Sequence, residues 1–167
     1  MATYPLFPTI GDFNVFWDSS NVSPADVATL KQEHPNVKVA LNLGSDSVVG
    51  NPVYFNPISV DSSVANAVSS LTTIIQDYHL CGPDAYYEHF KADLTTFSDC
   101  IGKLIYKLKR NRVTSFASIA PFDNSNVLSH YQALWTDYRA AINYVNLQFY
   151  ACDSEMLVVQ LLDHYEA

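Results

Sequence analysis

A glycine-rich phosphate loop is missing from this sequence. Its five glycines are scattered, and Gly44 and Gly50 stand too isolated to cradle a phosphate with successive backbone amides. Positive charge is also scarce: nine Lys and Arg face seventeen Asp and Glu, a formal net charge of −8. No basic run is long enough to follow a phosphate backbone, so neither nucleic acid nor an anionic membrane is expected as a partner. The short cluster Lys107, Lys109, Arg110 and Arg112 reads instead as favourable charge around a helix C-terminus. No apolar run reaches the length of a membrane span. The opening MATYPLFPTIGDF has no basic segment followed by an apolar one, so no signal peptide is expected. The three cysteines, Cys81, Cys100 and Cys152, are odd in number and match no zinc spacing. They read as structural thiols, and no metal or cofactor is expected. His79 and His89 beside Cys81 do not alter this, because they share no standard ligand spacing. The sequon Asn21-Val22-Ser23 is followed by Pro24, and without a secretion signal it carries little weight. Ser115 and Ser118 lack the G-x-S-x-G elbow of a serine hydrolase.

What is present is the composition of a folded globular chain. The 167 residues are 49% hydrophobic and 16% charged, enough for one domain, 1–167, with a sizeable core. Apolar periodicity alternates along it. VKVALNL (37–43) reads as a buried strand. DSSVANAVSSLTTIIQDYH (61–79) has helical spacing, with Val64, Val68, Leu71, Ile74 and Ile75 on one face and Asp61 as a candidate cap. PDAYYEHF (83–90) reads as a strand. Residues 92–110 read as a helix with Leu94, Phe97, Ile101, Leu104, Ile105 and Leu108 inward. VTSFASIA (113–120) is a strand, SNVLSHYQALWTDYRAAI (125–142) a helix in which Trp135 packs onto the sheet, YVNLQFYA (144–151) a strand, and 153–165 a helix. An earlier helix over 24–34 has Ser23 as cap and Pro24 at its first position. Strands alternating with helices of this length predict a parallel sheet with right-handed crossovers.

Parallel strands are covered on both faces, so polar residues inside them need a reason. Strand alternation points Asp84, Tyr86 and Glu88 one way, and Ala85, Tyr87 and His89 toward the helices. Asn146, Gln148 and Tyr150 share a face of the last strand. Polar groups therefore gather near the C-terminal ends of neighbouring strands, where parallel α/β folds place ligand sites.

The segment 79-HLCGPDAYYEHF-90 resembles the strand-four signature of the glycoside hydrolase family 18 chitinases and chitinase-like proteins, aspartate-glycine-x-aspartate-x-aspartate-x-glutamate, in the form found in the plant class III-type and narbonin-like branch. Supporting segments occur in order: 13-FNVFWDSSNVSPADV-27, then 41-LNLGSD-46, which resembles the strand-three motif, then 115-SFASIAPF-122 and 145-VNLQFYA-151, which resemble strands five and six. The resemblance implies part of a (β/α)8 TIM barrel, strands three to six with their helices, with the first two and last two strands absent. A whole barrel needs ~250 residues.

The resemblance also assigns roles. Glu88 holds the place of the acid that protonates the glycosidic oxygen, and Asp84 that of the inner aspartate. Tyr86 stands where the family has the aspartate that orients the substrate's N-acetyl group. Cys81 replaces the first aspartate, Asn42 the strand-three serine and Ser45 its second glycine. Gln148, Tyr150 and Phe116 are the expected sugar-binding residues, and the stacking tryptophan of strand eight is missing. Asp84 and Glu88 are expected to be satisfied by Tyr86 and Tyr150. The expectation is thus a chitinase-like protein without useful catalysis, with weak binding of N-acetylglucosamine oligosaccharides or chitin, or a storage role. The alternatives are a residual endochitinase using Glu88 and an interaction module acting through exposed sheet edges. With four strands, VKVALNL and YVNLQFYA become edges and Leu41, Phe116 and Tyr150 face water, so self-association is expected.

Overall fold

A computed structural model describes residues 2–4, 11–16, 22–48 and 50–149. Trp17, Asn21, Tyr150, Cys152 and the helix expected over 153–165 lie outside the described residues. Two short strands come first, β1 (Ala2–Tyr4) and β2 (Asn14–Phe16), then α1 (Pro24–Glu33). The N-terminus of α1 is closed by a reciprocal pair: Asp26 N donates to Ser23 Oγ at 3.2 Å and Ser23 N donates to Asp26 Oδ2 at 2.7 Å. Next come β3 (Ala40–Leu43), a hairpin of β4 (Ser47–Val48) and β5 (Asn51–Pro52), and β6 (Tyr54–Phe55). They are followed by α2 (Val60–Asp77), β7 (Gly82–Ala85) and β8 (His89–Phe90). The described part closes with α3 (Leu94–Arg110), β9 (Ser118–Ile119), α4 (Ser125–Tyr138), a 3-10 turn (Arg139–Ala141) and β10 (Tyr144–Val145).

The main sheet has the order β10-β9-β7-β3-β1-β2. Neighbours from β10 to β1 are parallel, and β2 runs antiparallel on the far side of β1. Helices link successive parallel strands, which is the repeat of a partial (β/α)8 barrel. The VKVALNL strand, expected at an edge, lies inside the sheet, because β1 pairs along it with Ala2 opposite Asn42 and Thr3 opposite Leu43. The sheet thus extends by one parallel strand beyond the four read from periodicity. A three-residue strand is too short to show a period.

The core lies between sheet and helices. Leu41 and Leu43 are fully buried against the helices, so Leu41 does not face water as expected. Phe97, Ile101, Leu104, Ile105 and Leu108 of α3 are buried as predicted, whereas Leu94 at its first turn is exposed. Each fully buried side chain of this size contributes about 1.5–3 kcal/mol relative to exposure. Trp135 is 42% exposed and does not carry α4 onto the sheet; Tyr131 and Leu134 do. A Cβ at Gly102 would run into the Tyr138 ring, so α3 and α4 approach closely only because that position has no side chain. The cap of α2 is Ser59, not Asp61: its hydroxyl accepts from Ser62 N at 3.3 Å. Among the described residues no helix is long and apolar enough to cross a membrane.

The run 83–90 is not one strand. Tyr86 N still donates to Leu43 O at 2.7 Å, but the β7 ladder ends at Ala85. His89 and Phe90 then pair with Tyr54 and Phe55 as a separate ribbon. At the break, Tyr87 N donates to the phenol oxygen of Tyr131 at 2.8 Å instead of to a strand.

Candidate functional site

Sheet register builds the site. Asn42 lies opposite Asp84, Asp84 opposite Ser118, and Ser118 opposite Tyr144. These residues form one row across four strands on the sheet face turned away from the helices. Residues two further along, Tyr86, Ala120 and Asn146, stand above that row. A cleft of about 240 Å³ is bounded by Asn42, Asp84, Tyr86, Asn146 and Gln148. A second, of about 390 Å³, continues along the same face between Lys38, Phe116, Ser118 and Tyr144, and shares Asp84 and Asn146 with the first.

Asp84 sits where the two clefts meet. Ser118 Oγ donates to its Oδ1 at 2.6 Å. Burial pushes the Asp84 carboxyl above its ordinary range, and the Ser118 bond works against that rise. Among the described residues Ser118 is a partner of Asp84; the sequence suggested Tyr86 and Tyr150, of which Tyr150 lies outside the described residues. The missed signal was register: Ser118 is directly opposite Asp84, and adjacent strands bring such pairs within reach. Register also explains the glycine of the CGPD segment. A Cβ at Gly82 would collide with the Phe116 carbonyl and the Thr114 hydroxyl, and the Thr114 hydroxyl donates to Cys81 O.

The other expected residues are placed as follows. Tyr86 is half-buried and lines the first cleft beside Asp84. Gln148 is buried in the same cleft, and its Nε2 donates to Ala120 O at 2.6 Å, which ties it to the end of β9. Phe116 lines the second cleft. Glu88 is half-buried and borders neither cleft. Tyr150 lies outside the described residues. Asn42 and Asn146 line the first cleft too. The sequence marked Asn42 only as a replaced serine and Asn146 only as a face residue.

Next to Glu88, side-chain contacts add to the β6–β8 ribbon that holds the rim. His89 Nε2 lies 2.9 Å from Asp46 Oδ1. Its ring is 5.5 Å from that of Tyr54, and Lys91 Nζ stands 4.5 Å over the same Tyr54 ring. His89 thus sits at this rim and not among the helices as alternation suggested, because β8 has left the main sheet. Gly44, with φ of 85°, brings the loop after β3 against this segment. A Cβ there would lie 2.5 Å from Tyr86 O and 2.7 Å from the Tyr87 ring, so the position requires glycine on both counts. Among the described residues no group of three or more His, Cys, Asp or Glu is placed to hold a metal ion. Chemically, the face offers one protonation-prone carboxyl, three amides and three aromatic rings. That set can hydrogen-bond hydroxyl and amide groups and stack on an apolar ring face.

No family model matches the chain. It is 57% identical over 159 residues to Chitinase 1 of Tulipa saxatilis subsp. bakeri, a match covering 95% of this chain and 51% of that protein. It is 30% identical over 138 residues to a RuBisCO-associated protein of Glycine max, covering 78% of this chain and 47% of the relative. The structure of a family 18 chitinase from Crocus vernus superimposes with a TM-score of 0.89 at 50% identity, covering 98% of this chain and 60% of that one. The chain therefore spans about half the length of the curated relatives it matches.

Proposed function

This chain belongs to glycoside hydrolase family 18, and we propose that it acts as a chitinase-like protein that binds N-acetylglucosamine oligosaccharides without hydrolysing them at a useful rate. The observation that carries this is Tyr86, which lines the cleft beside Asp84 in the motif place of a carboxylate. Family 18 hydrolysis is substrate-assisted, an exception to the two-carboxylate scheme. It depends on a fixed N-acetyl group and on negative charge beside the intermediate. A phenol is neutral near pH 7 and supplies no such charge. Loss of one preorganised electrostatic partner typically costs about 100- to 1,000-fold in rate. The amides of Asn42, Asn146 and Gln148 and the ring of Tyr86 remain as groups suited to a sugar's hydroxyl and acetamido groups.

The test pairs turnover with binding. A fluorogenic chitotrioside is expected to show negligible release, while titration with the N-acetylglucosamine trimer shows saturable binding that weakens in Gln148→Ala. Tyr86→Asp alone is not expected to restore ordinary chitinase rates. Clear hydrolysis that disappears in Glu88→Gln would instead establish the residual endochitinase.

A further inference from the structure

We infer that Tyr131, on the opposite side of the sheet from the cleft, is the positioning residue that sets where Tyr86 and Glu88 stand; as a statement about ligand binding this rests on the function proposed above. The β7 ladder breaks after Ala85. Beyond Ala85 the chain has no strand partner that takes the Tyr87 amide. The Tyr131 phenol takes that place. It accepts from Tyr87 N at 2.8 Å and lies 3.1 Å from Ala85 O and 3.3 Å from Tyr87 O, so its single proton serves one or the other carbonyl. Three backbone atoms that flank Tyr86 therefore converge on one side-chain oxygen. Ala120 N and Leu43 O already hold Ala85 O and Tyr86 N at 2.8 and 2.7 Å, so the Tyr131 phenol adds the hold on the C-terminal side of Tyr86, at the residue from which Glu88 follows.

The hydroxyl is itself held. Tyr131 is 3% exposed on α4. Its ring meets Phe97 edge-on at 5.2 Å and Phe90 at 6.5 Å. Phe90 stacks on His130 at 3.8 Å, and His130 is tied by its ring nitrogens to Asn126 O at 2.7 Å and Ala92 O at 3.2 Å. The ring is thus wedged between α3 and β8, and its oxygen has little freedom to follow a displaced strand end. Burial above all, with smaller contributions from the charges of Asp84 and Glu88, raises this phenol well above the ordinary tyrosine range against the opposing effect of the Tyr87 backbone bond, so it keeps its proton. It therefore remains a donor as well as an acceptor.

Tyr131→Phe keeps the ring and removes the oxygen. Amide exchange at Tyr86, Tyr87 and Glu88, measured against amides of β3, is the primary readout, with Val127→Ala as a control that removes buried packing from the same helix and no bond to the strand end. In Tyr131→Phe, Tyr87 exchange is expected to rise by up to ~10-fold, the scale of one lost hydrogen bond, and affinity for the N-acetylglucosamine trimer to fall by a similar factor. Val127→Ala should lower the melting temperature and leave both unchanged. Tyr87 exchange at the wild-type rate in Tyr131→Phe, or equal changes in the two variants, would overturn the inference. If the wild-type chain binds no trimer, the proposed function fails, and the exchange comparison alone still decides the role of Tyr131.

Discussion

Asp84 is half-buried with Ser118 as its hydrogen-bond donor, so its two protonation states are not equally at home in the fold. Burial raises its pKa above the unfolded value, and Ser118 restrains that rise. A carboxyl raised in the folded state favours folding when protonated. Its contribution is therefore fully present below the unfolded value of 3.8 and is lost as pH climbs through the higher folded value. Ser118→Ala removes a bond that matters most to the ionised form. At pH 7 it should cost about 1.5–3 kcal/mol, the scale of a hydrogen bond to a charged group. The loss should shrink as the pH falls through the raised folded value, where Asp84 takes up its proton. Chemical denaturation of both forms across that range checks this, and a loss independent of pH would mean that Ser118 acts only through packing. The carboxyl at position 84 was legible in the sequence as a motif residue. Its hydroxyl partner was not, because nothing local to either strand states which residue will lie opposite.

At the scale of elements, α2 and α3 end alike. His79 and Arg112 adopt φ of 53° and 59°, and the next amides, Leu80 N and Val113 N, each donate back at 2.9 Å to Ile75 O and Leu108 O. This is the Schellman closure, with a left-handed residue that is usually glycine. A side chain in that conformation costs roughly 1–2 kcal/mol. His79 makes its useful contact through its backbone, since Lys31 Nζ donates to His79 O at 2.6 Å. His79→Gly should therefore raise stability by about 1 kcal/mol, after the entropy that glycine loses on folding is subtracted. A melting temperature at or below that of the unmodified chain would refute it. The same scale shows why the YYEHF stretch misled a simple alternation rule. Tyr86 and Glu88 are half-buried, while Tyr87 is fully buried against Phe55 and Phe97. That period holds through Glu88 and fails at His89 because β8 pairs with β6.

Among the described residues the inner face of the sheet mixes polar groups with aromatic rings. Lys38, Asn42, Asp84, Ser118, Asn146 and Gln148 stand there beside Tyr86, Phe116 and Tyr144; of the apolar exposure expected, Leu41 contributes none because it is buried, while Phe116 lines the second cleft. The drive to self-associate thus rests less on that face than on strand edges. Among the described residues β10 is one outer strand, with Tyr144 59% exposed on it. Sedimentation over a concentration series is expected to show weak association that Tyr144→Lys reduces, since a charged side chain on an edge opposes pairing. A weight-average mass independent of concentration in the unmodified chain would remove the edge from consideration.

The sequence by itself determined the strand–helix alternation, the burial of α2 and α3, the capping of α1 and, through the HLCGPDAYYEHF segment, the family. These are local or periodic properties, written in spacings of two and three to four residues that survive in any context. Only the tertiary structure decided that β1 lies beside β3, that Ser118 answers Asp84, that the motif strand breaks after Ala85, and that the Tyr131 phenol meets the Tyr87 amide there. Each of these joins residues far apart in the chain, such as the 34 between Asp84 and Ser118 or the 44 between Tyr87 and Tyr131. Register across a sheet and the meeting of a helix side chain with a strand end depend on how the elements stack, and no single segment contains that information.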